Sequence, residues 1–276
     1  MVSTYAYLGP AGTFTEAALI GITAPLDQLL PAISVTAALD AVRNGAAEFA
    51  LVPIENSVEG VVARTLDELA TGDPLEIIAE TTISVTFALM ALTATQTITK
   101  IATHPHAESQ CRLFLAREFP RAEIIVTPST AAAAAGLKDG NWDGAIAAPI
   151  AANKYGLKII AENIGDNEAA VTRFVLVRKP ARIPVSTGND RTSLVAYIDI
   201  DHAGALLEIL TEFAKNGVNL SFIQSRPTGR ELGHYHFIID VEGHQSDAAV
   251  ERSIRGLRAI CEDIRILGSY PRAAQG

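Results

Sequence analysis

The chain has 276 residues, of which 49% are hydrophobic and 19% charged, a composition typical of a globular protein and unlike that of a disordered one. Its 31 acidic and 22 basic residues, with no cluster of Lys and Arg, argue against a nucleic-acid partner. The length favours two domains, and two widely separated cysteines provide neither a disulfide framework nor a thiolate metal site.

The N-terminal residues lead directly into a strand-like segment. They lack the basic start and the following apolar stretch of a secretory signal, so we expect no such signal and a cytoplasmic location. The longest apolar run, residues 83–92, contains Ser84, Thr86 and neighbouring Thr93 and is too short to span a bilayer. We therefore expect no membrane contact.

Strand-like and helical segments alternate between residues 4 and 177, which is typical of an α/β fold with a mostly parallel sheet. The first predicted strand leads through a glycine-rich turn to a helix that Thr13 caps, with Glu16 completing a capping box. The predicted strands cover residues 4–8, 49–52, 83–89, 101–103, 123–126, 144–147, 157–162 and 172–177. The predicted helices begin near Thr13, Thr36, Val61, Ala107, Thr130 and Pro149.

These elements predict a domain of two α/β lobes over residues 1–180. One lobe is expected to contain residues 1–75 with 160–180, and the other residues 76–159, with the ligand site in the cleft between them. Residues 181–190 contain Pro, Ser, Gly and Asn with little periodicity and predict a linker.

A second domain is predicted over residues 191–276. Leu206, Ile209, Leu210 and Phe213 have helical spacing, and a second helix follows two further predicted strands. The order β-α-β-β-α-β is ferredoxin-like.

Polar motifs follow several predicted strands, where α/β sheets bind ligands. The turn 9–12 before Thr13 can attract an anion through free N–H groups, but it lacks the pattern of a nucleotide-binding loop and by itself is more typical of a structural turn. Residues 55–57 (Glu-Asn-Ser) have the composition of a small-molecule site and equally that of a polar turn, whereas residues 129–130 (Ser-Thr), between a predicted strand and a predicted helix, are typical of a helix cap.

Two histidine pairs, 104/106 and 234/236, have the spacing of a metal-binding pair on a strand. Because the sequence offers no third ligand for either pair, we predict no metal.

Five motifs in this order resemble those of the prephenate dehydratase family: residues 9–15 (GPAGTFT), 52–57 (VPIENS), 104–111 (HP to QC), 129–132 (STAA) and 172–174 (TRF). The C-terminal part is similar to an ACT domain, with Gly204-Ala205-Leu206 at its first helix and Ser225-Arg226-Pro227 after its second strand. The resemblance implies a fold like that of type II periplasmic binding proteins, no cofactor, and phenylalanine as effector.

The resemblance also implies roles for individual residues. Its catalytic residues are Thr172, Arg173 and Phe174. Its substrate-binding residues are Thr13, Glu55, Asn56, Ser57, Ser129 and Thr130. Its candidate phenylalanine contacts are Gly204, Ala205, Leu206, Asn219, Leu220 and Ser225. The chain departs from the family pattern at Ala170, where Asn is frequent, and at Gln224, where Glu is frequent.

The implied activity is that of a carbon–oxygen lyase that converts prephenate to phenylpyruvate under regulation by L-phenylalanine, as a homodimer or homotetramer. The alternatives are an arogenate dehydratase and a non-enzymatic two-lobed sensor. The role of Glu55 stays open, because its carboxylate would repel a substrate with two carboxylates.

Overall fold

The protein was analysed as a computed structural model that describes residues 2–198, 202–228 and 235–273. Its strands are β1 Thr4–Leu8, β2 Gln28–Ala32, β3 Phe49–Asn56, β4 Gly60–Val61, β5 Glu76–Ser84, β6 Ala88–Ala91, β7 Lys100–Thr103, β8 Glu123–Val126, β9 Gly144–Ala147, β10 Lys158–Ala161, β11 Val171–Arg178, β12 Asp190–Tyr197, β13 Leu220–Pro227, β14 Tyr235–Glu242 and β15 Asp263–Pro271. Its helices are α1 Phe14–Ile20, α2 Val35–Arg43, α3 Ala63–Thr71, α4 Pro105–Gln110, α5 Arg112–Glu118, α6 Thr130–Ala135, α7 Ile150–Tyr155, α8 Ala205–Ala214 and α9 Ala248–Ile260.

The strands form three sheets. The first has the order β2-β1-β3-β11-β5, with the short β4 paired to β3, and the second has the order β10-β6-β9-β7-β8. The third has the order β13-β14-β12-β15 and pairs only antiparallel strands. Parallel pairs occur in both of the first two sheets, so the predicted α/β class is confirmed.

The strands and their pairing differ from the sequence prediction in several places. The predicted strand 83–89 is divided between β5, which belongs to the first sheet, and β6, which belongs to the second. Strand β10 pairs antiparallel with β6 in the second sheet instead of returning to the first lobe. Strand β2 was not predicted, because it contains Pro31 and its residues are half-buried or exposed without a strong apolar alternation.

Small side chains determine the packing of the second sheet against its helices. The core of this region consists largely of fully buried alanines, among them Ala102 on β7, Ala133 on α6 and Ala151 on α7. Alanine side chains allow the helix axes to approach the sheet closely, and Trp142 and Tyr155 close the edges of the cluster.

The C-terminal domain has the predicted β-α-β-β-α-β order. Helices α8 and α9 bury Ile209, Phe213, Ile254 and Leu257 against apolar residues of the third sheet, including Ile239. The ferredoxin-like expectation for this part of the chain is therefore confirmed.

The chain packs into two units. The first contains Leu51–Val61, Thr82–Phe174 and the N-terminal segment to Ala38, and the second contains Leu39–Ala50, Val62–Thr81 and the chain from Val175 onward. None of the helices in the described ranges has the length and apolarity needed to cross a membrane.

Within the second unit, α3 lies against the third sheet. Arg226 donates to both carboxylate oxygens of Asp67 at 2.8 Å, from Nε and from one terminal nitrogen. Arg265 donates to the carbonyl oxygens of Leu69 and Gly72, and Tyr197 donates to that of Ala70. The C-terminal half of α3 is thus held by side chains of β12, β13 and β15.

Candidate active site

Asn56 and Thr172 meet at the end of adjacent strands in the first sheet. Asn56 Nδ2 donates to Thr172 Oγ1 at 2.8 Å, and Asn56 Oδ1 accepts the backbone N–H groups of Val58 and Glu59. Because these two acceptor contacts fix which end of the amide is the oxygen, the NH₂ group must face Thr172. The hydroxyl of Thr172 is therefore an acceptor for Asn56, and its own hydrogen points elsewhere.

Thr172 and Asn56 line a cavity of about 280 Å³. Its wall contains both apolar and polar side chains, as expected of a site for a small organic molecule. The lining residues are Phe14, Asn56, Glu59, Val85, Phe87, His104, His106, Ala107, Gln110, Pro128, Ser129, Thr130 and Thr172.

Ser57 supports this arrangement from outside the cavity. Its N–H donates to the carbonyl oxygen of Val171 at 2.9 Å, and its hydroxyl accepts the Val171 N–H at 3.0 Å. These two contacts fix the backbone immediately before Thr172. Ser57 therefore positions the threonine and does not line the cavity that Thr172 faces.

Arg173 and Phe174 are not among the residues that line this cavity. Adjacent residues of a strand point to opposite faces, and Arg173 Nε lies 3.3 Å from Glu55 Oε2. Phe174 is buried in the protein interior. The contact with Arg173 also gives Glu55 a structural partner, because the two charges compensate each other away from the cavity.

Ser129, Thr130 and Thr13 lie at helix starts. Ser129 caps α6 by accepting the N–H of Ala132 at 3.0 Å, and Thr13 caps α1 by accepting that of Glu16 at 3.3 Å. Ser129 and Thr130 line both the cavity of Thr172 and a second cavity of about 660 Å³ that Thr13 lines. Of the predicted residues, the structure thus brings Thr13, Asn56, Ser129, Thr130 and Thr172 into two neighbouring cavities that share one wall, and leaves Glu55, Ser57, Arg173 and Phe174 outside both.

The turn before α1 is less free to bind an anion than the sequence indicates. The N–H of Gly9 donates to the carbonyl oxygen of Ala32, and that of Gly12 donates to the buried carboxylate of Glu16. Glu16 also accepts from Lys154 at 2.8 Å. The two glycine N–H groups therefore hold the turn in place.

Several lining residues were not predicted. Glu59 accepts from Gln110 Nε2 at 2.9 Å and lies 3.8 Å from His106 Nδ1, and Phe14 packs edge-to-face on Phe87. These pairs join residues far apart in the sequence, so no local pattern reveals them.

His104 caps α4, with Nδ1 accepting the N–H of His106 at 3.3 Å. Burial, and then the neighbouring His106, hold the pKa of His104 below its ordinary value, while Glu59 acts in the opposite direction. His234 of the second predicted histidine pair lies outside the described residues. Within the described ranges, no three His, Cys, Asp or Glu side chains are grouped as a metal site requires.

The predicted effector residues lie at two places in the third-sheet domain. Gly204 caps α8 with φ of 101°, a conformation that favours glycine, and is followed by buried Ala205 and partly exposed Leu206. Asn219, Leu220 and Ser225 lie just before or on β13. Of the two family departures, Ala170 is buried in an apolar cluster with Phe87, and Gln224 donates to the carbonyl oxygen of Ser225.

An α/β fold with a cavity of hydroxyl and amide groups at strand and helix ends, followed by a ferredoxin-like domain, defines a small-molecule enzyme with an appended domain. The prephenate dehydratase family model matches residues 5–182, and the ACT domain model matches residues 193–259. The chain belongs to the prephenate dehydratase family, a group of hydro-lyases, and carries an ACT domain.

Individual relatives agree over nearly the whole chain. A prephenate dehydratase of Amycolatopsis methanolica is 44% identical over 273 residues, which cover 99% of this chain and 90% of that protein. The crystal structure of the Arthrobacter aurescens prephenate dehydratase in complex with L-Phe is 48% identical with a TM-score of 0.92, covering 98% of this chain and 90% of that one. The structure of GqqA, described as a novel type of quorum quenching acylase, is 29% identical with a TM-score of 0.88 and covers 98% of each chain.

Proposed function

We propose that this chain converts prephenate to phenylpyruvate in the cavity of Thr172, and that Thr172 is the hydrogen-bond donor to the departing hydroxyl. The observation that carries the proposal is the contact between Asn56 Nδ2 and Thr172 Oγ1. Because the threonine oxygen accepts there, its single hydrogen is available to a molecule in the cavity.

In the reaction, the bond between the ring and its carboxylate breaks and releases carbon dioxide. The electron pair of that bond enters the ring, the carbon–oxygen bond to the ring hydroxyl breaks, and the departing hydroxide takes up a proton to become water. Aromatisation of the ring provides the driving force. The enzyme must therefore stabilise negative charge on the leaving oxygen.

A threonine hydroxyl is a weak acid, so Thr172 acts as an oriented donor and not as a reservoir of protons. Thr172 is only 8% exposed, and a hydrogen bond in such a site is stronger than in water. A positioned donor of this kind contributes about 10²–10⁴-fold to a rate.

The other predicted residues support this step in different ways. Asn56 orients the hydroxyl, Ser57 fixes the backbone before it, and the pair of Glu55 and Arg173 holds the strand from the opposite face. In our proposal Ser129, Thr130 and Thr13 contact polar groups of the substrate at the shared wall of the two cavities, while Phe174 contributes through packing.

We infer that residues 1–180 form the catalytic domain, 181–190 a linker and 191–276 the regulatory domain, and that L-phenylalanine binds the regulatory domain near Gly204 and Asn219. The L-Phe complex of the Arthrobacter aurescens relative supports this inference. We further propose that the protein is a cytoplasmic homodimer or homotetramer, a state that light scattering with and without L-phenylalanine would test.

The test of the proposed function is ultraviolet-monitored formation of phenylpyruvate from prephenate by the purified chain, with and without millimolar L-phenylalanine. We expect turnover of prephenate that changes with phenylalanine. Faster turnover of arogenate than of prephenate would assign the alternative substrate, and no turnover of either by the folded protein would contradict the proposed reaction.

A further inference from the structure

The imidazole of His104 is a hydrogen-bond donor of fixed orientation in the wall of the cavity. Its Nδ1 accepts the N–H of His106, and an accepting ring nitrogen carries no proton. The hydrogen of the neutral ring therefore lies on Nε2. No side chain or carbonyl in the described parts of the chain accepts a hydrogen bond from Nε2.

Burial, and then the neighbouring His106, lower the pKa of His104 and favour this neutral form, while Glu59 acts in the opposite direction. The titratable side chains that act on it are His106 on α4 and Glu59 in the loop between β3 and β4, and the lining residues Ser129 and Thr130 carry no charge. A proton on Nδ1 would also face the N–H of His106 and break the cap of α4. The ring can therefore donate from Nε2 without becoming charged.

Apart from the hydroxyls of Ser129 and Thr130, the remaining side-chain donors of the cavity are largely engaged. Asn56 donates to Thr172, Gln110 donates to Glu59, and His106 lies beside the Glu59 carboxylate. The residues that line this cavity include neither Lys nor Arg. A substrate with two carboxylates needs donors here, because burying a carboxylate without a partner costs several kcal/mol.

We propose that His104 Nε2–H donates a hydrogen bond to a carboxylate of the substrate, so that His104 determines substrate affinity while Thr172 acts on the leaving hydroxyl. This inference rests on the proposed function. It assigns the two nitrogens of one ring to different tasks, because Nδ1 caps α4 and Nε2 binds substrate.

Two substitutions separate these tasks. In His104→Asn the amide oxygen replaces the accepting Nδ1 and can cap α4, but the distant donor is lost. In His104→Gln the amide nitrogen lies near the former position of Nε2, but the cap is lost. We expect His104→Asn to raise the KM for prephenate about 10-fold or more, because a hydrogen bond to a charged group is lost, with kcat within about threefold of the parent.

The melting temperature provides the second measurement. His104→Asn should melt close to the parent and His104→Gln should melt lower, while the KM of His104→Gln stays within about threefold of the parent. An unchanged KM in His104→Asn, an equal rise of KM in both variants, or a loss confined to kcat would overturn the inference. If His104→Gln does not fold, the result for His104→Asn decides alone.

Calorimetric titration of prephenate into the parent and into His104→Asn distinguishes this inference from the proposed reaction. Weaker binding by His104→Asn supports the role of His104 even where the parent shows no turnover. Equal binding overturns that role and leaves the assignment of Thr172 intact, and a parent that neither binds nor converts prephenate contradicts both.

Discussion

The cavity of Thr172 and the contact of α3 with the third sheet use similar polar groups in opposite ways. Around α3, Arg226 makes two contacts with Asp67, and Arg265 donates to two carbonyl oxygens of the helix end. In the cavity, Asn56 donates to Thr172, and the Thr172 hydroxyl hydrogen has no acceptor in the part of the chain that the structure describes. The polar groups around α3 bind one another, whereas the Thr172 hydroxyl can still donate to a ligand.

This difference separates groups that stabilise the fold from groups that, in our proposal, act on a substrate. A polar group whose partners are all internal contributes mainly to stability, so its removal changes the free energy of unfolding. A buried donor held in one orientation, with its hydrogen directed into a cavity, contributes mainly to binding or rate. Substitutions in the two regions should therefore affect different measurements.

The largest expected effect is that of Thr172→Ala. Removing the oriented hydroxyl should lower kcat for prephenate by about 10²–10⁴-fold and leave the melting temperature nearly unchanged. Thr172→Ser, which keeps the hydroxyl, serves as the matched control and should retain much more activity. Near-normal turnover by Thr172→Ala would remove Thr172 from the mechanism.

Asn56→Asp should have the next largest effect. The carboxylate can still accept the N–H groups of Val58 and Glu59, but it offers Thr172 an acceptor in place of a donor. The hydroxyl hydrogen then turns toward residue 56, so we expect kcat to fall on the order of 10–100-fold. Steady-state kinetics at saturating prephenate measures this, and an unchanged kcat would contradict the proposed orientation.

In the α3 contact, Arg226→Gln should affect stability and leave kcat almost unchanged. The side chains of Arg226 and Asp67 are 25% and 35% exposed, so solvent screens the pair and we expect a loss of about 0.5–1 kcal/mol in urea unfolding. Arg255→Gln is the control, because it removes a more exposed pair with Glu251. Equal losses of unfolding free energy in the two variants would show that the contact of Arg226 with Asp67 stabilises the protein no more than the exposed pair of Arg255 and Glu251.

The smallest expected effect concerns pH and His236, which is 1% exposed and whose two ring nitrogens lack hydrogen-bond partners among the described residues. Burial lowers the pKa of His236 from its ordinary 6.5, Arg226 and Arg265 act in the same direction, and Asp67 opposes them. A lowered pKa means that the unfolded chain binds the proton more readily, so His236 reduces stability as pH falls below about 6.5.

Replacing His236 by Leu should reduce this pH dependence, because the buried ring no longer titrates. Melting temperatures of the two proteins should therefore differ more at pH 5.5 than at pH 7.5, with the variant less sensitive to acid. The same slope of melting temperature with pH in both proteins would contradict the assignment to His236.

Much of the fold follows from local signals in the sequence. The capped helices at Thr13 and Ser129 and the spacing of Leu206, Ile209, Leu210 and Phe213 were sufficient to predict α1, α6 and α8. The missed pairing of β10 with β6 depends on contacts between residues about 70 positions apart, which no local pattern specifies.

The site could be predicted only in part, because local signals in the sequence place some of its residues and long-range contacts place the others. Asn56 lies at the end of a strand, Thr172 at the beginning of one, and Ser129 and Thr130 at the start of a helix, and all four line the cavity. The direction of Arg173 away from Thr172 follows from strand alternation and was available from the sequence. The contact of Glu59 with Gln110 required the structure, because it joins the loop between β3 and β4 to the last residue of α4, about 50 positions further along the chain.

The most direct test of the central claim is a double-mutant cycle of Asn56→Asp and Thr172→Ala, followed by kcat for prephenate. If Asn56 acts by orienting the Thr172 hydroxyl, the double variant should be no slower than Thr172→Ala alone, because the group that Asn56 orients is already absent. Losses that multiply in the double variant would show that the two residues act independently and would contradict the account.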